Sequence, residues 1–134
     1  MRGLAILAAV LVSLGASAAS AGSTPRTSLT ITFWEQGSTA GDKTAWTLKC
    51  DPAGGTLKRP GRACLHLASG GRLLFAPLRK DEVCTQIYGG PQVALVTGTL
   101  DGRRLWARFQ RRNGCEIGRW NRLSPWLLPP GGVN

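Results

Sequence analysis

The chain has 134 residues, 17 Lys plus Arg against 7 Asp plus Glu for a formal charge of +10, four cysteines and one histidine. That length suits one domain, and 43% hydrophobic residues suffice for a packed core, which excludes wholesale disorder. A single His and a single Met, the initiator, remove most catalytic and metal-binding constellations.

Met1-Arg2 is a short cationic start and Leu4 to Leu14 an apolar run of secretory length. Ala16-Ser17-Ala18 and Ala19-Ser20-Ala21 then supply two small-x-small cleavage sites. Residues 1–21 therefore read as a signal peptide cut after Ala18, Ala19 or Ala21. They do not read as a membrane helix, because the run is too short and no second apolar stretch follows. The mature chain of roughly 113 to 116 residues is expected outside the cell and off the membrane. In that oxidising setting Cys50, Cys64, Cys84 and Cys115 should form two disulfides, with three connectivities open. No CxxC pair is present, so a structural zinc site is not expected.

Residues 22–28 are small and polar and read as a flexible leader. Leu29 to Trp34 alternates apolar residues with Thr, the period of a half-buried strand. Glu35 to Lys43 is a loop. Ala45 to Cys50 fits a second strand with Trp46, Leu48 and Cys50 on one face, and Asp51-Pro52-Ala53-Gly54-Gly55 breaks it. Pro60 to Ser69 is the one clear helix, opened by Pro60 and ended by Gly70-Gly71. Cys64, Leu67 and Ala68 share one of its sides. His66 faces away and, with no carboxylate or thiol partner, reads as a surface residue.

Pro91 to Arg112 reads as a hairpin turning at Asp101-Gly102. That turn sets Leu100 opposite Arg103 and Thr97 opposite Trp106. Ala94, Val96, Leu105, Ala107 and Phe109 then share the core face. Val93, Leu95, Thr97, Arg104, Trp106 and Arg108 share the other, which is too apolar for plain solvent. The elements together predict an α+β domain with an antiparallel sheet of four to five strands and one or two helices on one face. No nucleophile–base pair is visible, so the chain does not read as an enzyme, and neither a cofactor nor a metal is expected.

Around the cysteines the sequence resembles the Streptomyces-type subtilisin inhibitors, small secreted actinobacterial proteins that block subtilisin-like serine proteases. The matching stretches are Thr47-Leu48-Lys49-Cys50-Asp51-Pro52, Gly54-Gly55-Thr56, Ala63-Cys64 with Leu67, and Val83-Cys84. Thr97-Gly98-Thr99, Gly102-Arg103, Phe109, Asn113 and Cys115-Glu116 continue the match. The resemblance spans roughly Leu29 to Ile117, placing the domain at 29–123. It implies the pairs Cys50–Cys64 and Cys84–Cys115, a five-stranded antiparallel sheet, and a homodimer through that sheet. It also implies an extracellular serine protease as partner and a reactive bond at Gln86–Ile87. Cys84, Thr85 and Tyr88 flank that bond, and Asn113 and Cys115 support the loop.

Such a loop lies in the protease cleft as a substrate does, adding main-chain hydrogen bonds as an edge strand. Anchoring through Cys84 spends its ordering entropy in folding and not in binding. This chain departs from the family at several points. Gln86 stands where Met, Leu, Lys or Arg is usual. Tyr88-Gly89-Gly90-Pro91 has one residue more than the usual Tyr-x-Pro, and two glycines predict added flexibility there. Leu57-Lys58 replaces His-Pro. The tail 124–134, with Pro125, Pro129 and Pro130, does not read as a closing strand.

An alternative keeps the fold as a non-inhibitory binding module acting through a basic Arg/Trp surface. Arg103, Arg104, Arg108, Arg111, Arg112, Arg119 and Arg122 crowd the last third of the chain near Trp106 and Trp120. Arg interleaved with Trp can engage polyanions. Charge alone, however, indicates only nonspecific attraction, so nucleic-acid or polyanion binding is not the expectation.

Overall fold

The computed structural model describes residues 15, 22 and 24–131, so the predicted signal peptide, Gly15 apart, lies outside the described residues. Four strands, β1 (Thr27–Trp34), β2 (Thr44–Cys50), β3 (Val93–Leu100) and β4 (Arg103–Gln110), form one antiparallel sheet in the order β2-β1-β3-β4. Two helices, α1 (Pro60–Gly70) and α2 (Gly114–Leu123), complete the α+β domain. The disulfides are Cys50–Cys64 and Cys84–Cys115. The first ties β2 to α1, and the second ties α2 to the segment before β3.

The hairpin register is the one its turn dictates, with Leu100 opposite Arg103 and Thr97 opposite Trp106. Asp101 takes φ 50° and Gly102 φ 78°, the left-handed pair that a two-residue turn between twisted strands requires. Alternation then sends Ala94, Val96, Leu105, Ala107 and Phe109 into the core, where they meet Leu29, Ile31 and Leu48 of the neighbouring strands. Ala63 and Leu67 of α1 and Trp120 and Leu123 of α2 belong to the same cluster, so both helices cover that face of the sheet. Phe109 stands edge-on to Phe75 at 6.2 Å, and Trp120 edge-on to Phe33 at 6.2 Å.

Several expectations change in three dimensions. Thr27 and Ser28, assigned to the leader, belong to β1, because their edges are already in use. Thr27 Oγ1 accepts the Asp101 N–H at 3.2 Å, and the Arg26 carbonyl accepts the Gly102 N–H at 2.8 Å. On α1 the buried side is Ala63 and Leu67, while Ala68 is exposed. His66 is half-buried, its Nε2 2.5 Å from the Arg122 carbonyl near the end of α2. Val93 lies in the outer row yet is buried, as is Trp34 opposite it. They meet at the end of the ladder where Gly37 comes against the Pro91 carbonyl.

The C-terminal tail forms no strand among its described residues, but it is not a loose end either. Leu127 and Leu128 are fully buried in the core, beyond the predicted domain boundary at 123. Trp120 Nε1 donates to the Pro129 carbonyl at 2.8 Å. The Leu127 and Leu128 N–H groups donate to the Leu123 carbonyl at 2.8 and 3.2 Å, and the prolines suit the rest of the path because Pro129 bonds through its carbonyl, which proline retains. Phe109→Ala should destabilise the fold by about 3–5 kcal/mol, read from the urea midpoint at unchanged m-value.

Candidate functional site

Between the 3-10 turn Gly71–Phe75 and β3 the chain runs from Ala76 to Gln92 with no helix or strand. Within it, residues 85–89 arch over the start of α2. The arch has three attachments. Cys84 is bonded to Cys115 in the first turn of α2. The Thr85 carbonyl accepts the Gly114 N–H at 2.9 Å, satisfying one of the free donors at the helix start. At the far side the Gly89 N–H donates to the Arg111 carbonyl at 2.8 Å, and the Arg111 guanidinium donates back to the Gly89 carbonyl.

Gln86, Ile87 and Tyr88 lie between these attachments. Ile87 is 56% exposed and Tyr88 61%, although both are large and apolar enough to bury if the fold had room for them. Among the described residues no main-chain hydrogen bond uses the N–H or C=O of Gln86, Ile87 or Tyr88. Three consecutive peptide units are therefore held at both ends and left unpaired in the middle. Such a segment can accept an incoming edge strand without breaking bonds of its own. Gln86 Nε2 donates to the Cys84 carbonyl at 3.3 Å, so the side chain folds back over its own loop and must swing out to fill a pocket elsewhere. Val83, just before the disulfide, is also exposed.

The sequence-predicted support residues divide. Cys115 anchors the loop through its disulfide. Asn113 caps α2 instead: its Oδ1 accepts the Glu116 N–H at 3.0 Å, and it makes no hydrogen bond to residues 84–88 among the described residues. Asn at the cap with Glu three places on is a helix-start signature. That signal was legible, but Gly114 and Gly118 obscure it by lowering helix propensity. Asn113 thus acts on the loop at one remove, by holding the helix whose first N–H binds Thr85.

The two glycines after Tyr88 are not a source of slack. Gly89 is buried, and a Cβ there would stand 2.8 Å from Ile117 Cδ1 and 3.2 Å from the Arg111 carbonyl. Gly90 has φ 131°, which L side chains rarely adopt. Close approach and a left-handed backbone select glycine here, and two hydrogen bonds then fix what glycine's freedom would loosen.

Burial also reduces the basic surface. Arg111 and Arg119 are buried, and so is Trp120. Arg119 donates to the Ala76 and Arg108 carbonyls at 3.0 and 3.2 Å and pairs with Glu116 at 3.2 Å, its guanidinium 4.6 Å from the Phe109 ring centre. These arginines supply hydrogen bonds to main-chain carbonyls inside the fold, so they are not part of an outer patch. Arg103, Arg104, Arg108, Arg112 and Arg122 remain exposed, with Trp106 on the outer sheet face. Among the described residues no cluster of three or more His, Cys, Asp or Glu could hold a metal ion, and no helix is long and apolar enough to cross a membrane.

A family model described as subtilisin inhibitor-like matches residues 23–113. Among solved structures the chain is similar to Streptomyces caespitosus sermetstatin, solved in complex with Bacillus licheniformis subtilisin. The identity is 29% over 73% of this chain and 96% of that chain, with a TM-score of 0.48. No curated protein matches the chain. Asn113→Ala should cost about 1 kcal/mol of stability through the lost cap, read as a lower thermal midpoint by circular dichroism.

Proposed function

The chain belongs to the subtilisin inhibitor-like family, and on that premise we propose that it inhibits a subtilisin-like serine protease by presenting Gln86–Ile87 as a slowly cleaved bond. The observation that carries this reading is the arch itself. Gln86, Ile87 and Tyr88 offer unpaired main chain and exposed side chains, while Cys84, Thr85 and Gly89 are fastened to the body of the protein. An extended segment of this kind can pair with the wall of a protease cleft at small entropic cost, because its ends are already ordered.

The chemistry belongs to the protease. Its serine oxygen adds to the Gln86 carbonyl carbon, and its oxyanion hole takes the resulting negative charge. The C–N bond to Ile87 then breaks, with the protease's histidine delivering a proton to the departing amine. If the Ile87 amine stays in place, it attacks the acyl-enzyme, the serine leaves, and the original bond is restored. Water must displace the amine for hydrolysis to finish. The fastenings on both sides of the bond oppose that displacement.

Gln86 gives the S1 pocket an uncharged amide, with neither a large apolar surface nor a cation. Gln86→Leu should therefore tighten inhibition of subtilisin about tenfold or more, since burying a leucine side chain contributes roughly 1.5–3 kcal/mol. Titrating subtilisin with the protein, and weighing the intact chain afterwards, tests the reading directly. The expected result is loss of activity with at most one nick, after Gln86. Full activity at a large molar excess of the protein, or degradation at several bonds, would overturn it.

The same reading places the protein outside the cell, with residues 1–21 as a removed export signal. It also favours a homodimer through the outer face of the sheet, where Trp106 is 69% exposed beside Arg104 and Arg108. Trp106→Glu should convert that dimer to a monomer in light scattering after gel filtration, while leaving untouched the loop fastened through Cys115, Gly114 and Arg111.

A further inference from the structure

Arg111 follows β4 directly and is 1% exposed. Burying a guanidinium is costly unless a carboxylate or a full set of hydrogen bonds offsets it. Among the described residues no carboxylate pairs with it. Its partners are neutral oxygens from two separate parts of the chain. One terminal nitrogen donates to the Gly89 carbonyl and to Gln92 Oε1 at 3.3 Å. The other donates to the Gly131 carbonyl at 3.1 Å. The guanidinium carbon lies 5.8 Å from the Trp120 ring centre, and Nε has no acceptor among the described residues. A side chain in this position is poorly explained as a contributor to stability alone. Its planar fork does one thing no apolar residue could: it joins the tail to the loop.

We infer that Arg111 is a positioning residue that couples the C-terminal segment 127–131 to the departing side of the Gln86–Ile87 loop. This rests on the reading of Gln86–Ile87 as the presented bond. Gly89 is the third residue beyond that bond, so the guanidinium holds the half of the loop that carries the Ile87 amine. Cys84 and Thr85 secure the other half by different means, through Cys115 and Gly114. The tail is fastened on its own account by buried Leu127 and Leu128 and by the bond from Trp120 to the Pro129 carbonyl. Docked in this way, it presents the Gly131 carbonyl to the guanidinium and limits the positions the fork can adopt. The tail therefore sets how firmly the amine is kept for resealing.

Three variants separate the contacts. Arg111→Met removes the fork and keeps an apolar stem. Arg111→Lys keeps the charge, but a single ammonium on a flexible stem lacks the planar geometry that serves both carbonyls. Gly131→Ala leaves Arg111 intact and sets a Cβ against its guanidinium carbon, pushing the tail off the fork. Amide hydrogen exchange on the full chain reads loop opening at Gly89, with Val96 in β3 as the core reference. The nicked-to-intact ratio at equilibrium with subtilisin reads retention of the amine. Arg111→Met should speed Gly89 exchange about tenfold to a hundredfold, the scale set by a lost charge-assisted hydrogen bond. Gly131→Ala should speed it by roughly three- to tenfold, and Arg111→Lys should fall between wild type and Arg111→Met. Val96 exchange and the association rate with the protease should stay unchanged while the nicked fraction rises in the same order.

Gly89 exchange that is unaltered in Gly131→Ala, or that rises only in step with Val96, overturns the coupling. That variant retains the buried arginine, so it decides the matter even where Arg111→Met does not fold. If the wild-type chain inhibits no protease while Gly89 exchange follows the variants as expected, the coupling stands and the inhibitory reading falls.

Discussion

The packing of Trp120 against the sheet is the contact on which the remaining geometry depends. Its ring is fully buried, edge-on to Phe33 of β1, with the Arg111 guanidinium over it and its N–H turned to the Pro129 carbonyl. One side chain therefore joins the central strand, the second helix, the end of β4 and the tail. A buried tryptophan contributes a large apolar area, and its single polar atom requires one acceptor. Pro129 supplies that acceptor. Because Trp120 sets where α2 lies, it also sets where the start of α2 can meet the loop that arches over it.

That loop shows how a small domain can hold a segment open. The fold attaches Cys84, Thr85 and Gly89 with a disulfide, a helix-start N–H and an exchange of bonds with Arg111, and it leaves the three residues between them unpaired. Rigidity and exposure are usually opposed, since exposed backbone tends to move. Here they coexist because the constraints sit just outside the exposed unit and come from different elements.

Arginine plays two roles in this chain, and only burial separates them. Arg119 and Arg111 reach inward and donate to main-chain carbonyls that the helices and strands leave free, while Arg103, Arg104 and Arg108 stand in solvent along β4. A run of basic residues in sequence is thus divided in space. The reason is geometric: a helix turns about 100° per residue and a strand 180°, so neighbours in a cluster face different directions.

Pattern along the chain is enough for the two strands up to Cys50, the first helix and the Asp101-Gly102 hairpin with its register, and the cysteine frame carries the family resemblance. These are local or pattern properties: period-two alternation, a turn pair with φ above zero, a proline start, and cysteine spacing. The rest follows from long-range packing. Gly89, which reads as slack, is close-packed and bonded because Ile117 and Arg111 approach it from more than twenty positions away, and Gly90 holds a backbone angle that favours glycine. Asn113 caps a helix whose glycines concealed it. The proline-rich tail enters the core through Leu127 and Leu128, and Arg111 and Trp120 turn inward to meet it. None of these could be read along the chain, because each depends on which distant surface fills a space, and no local periodicity encodes that.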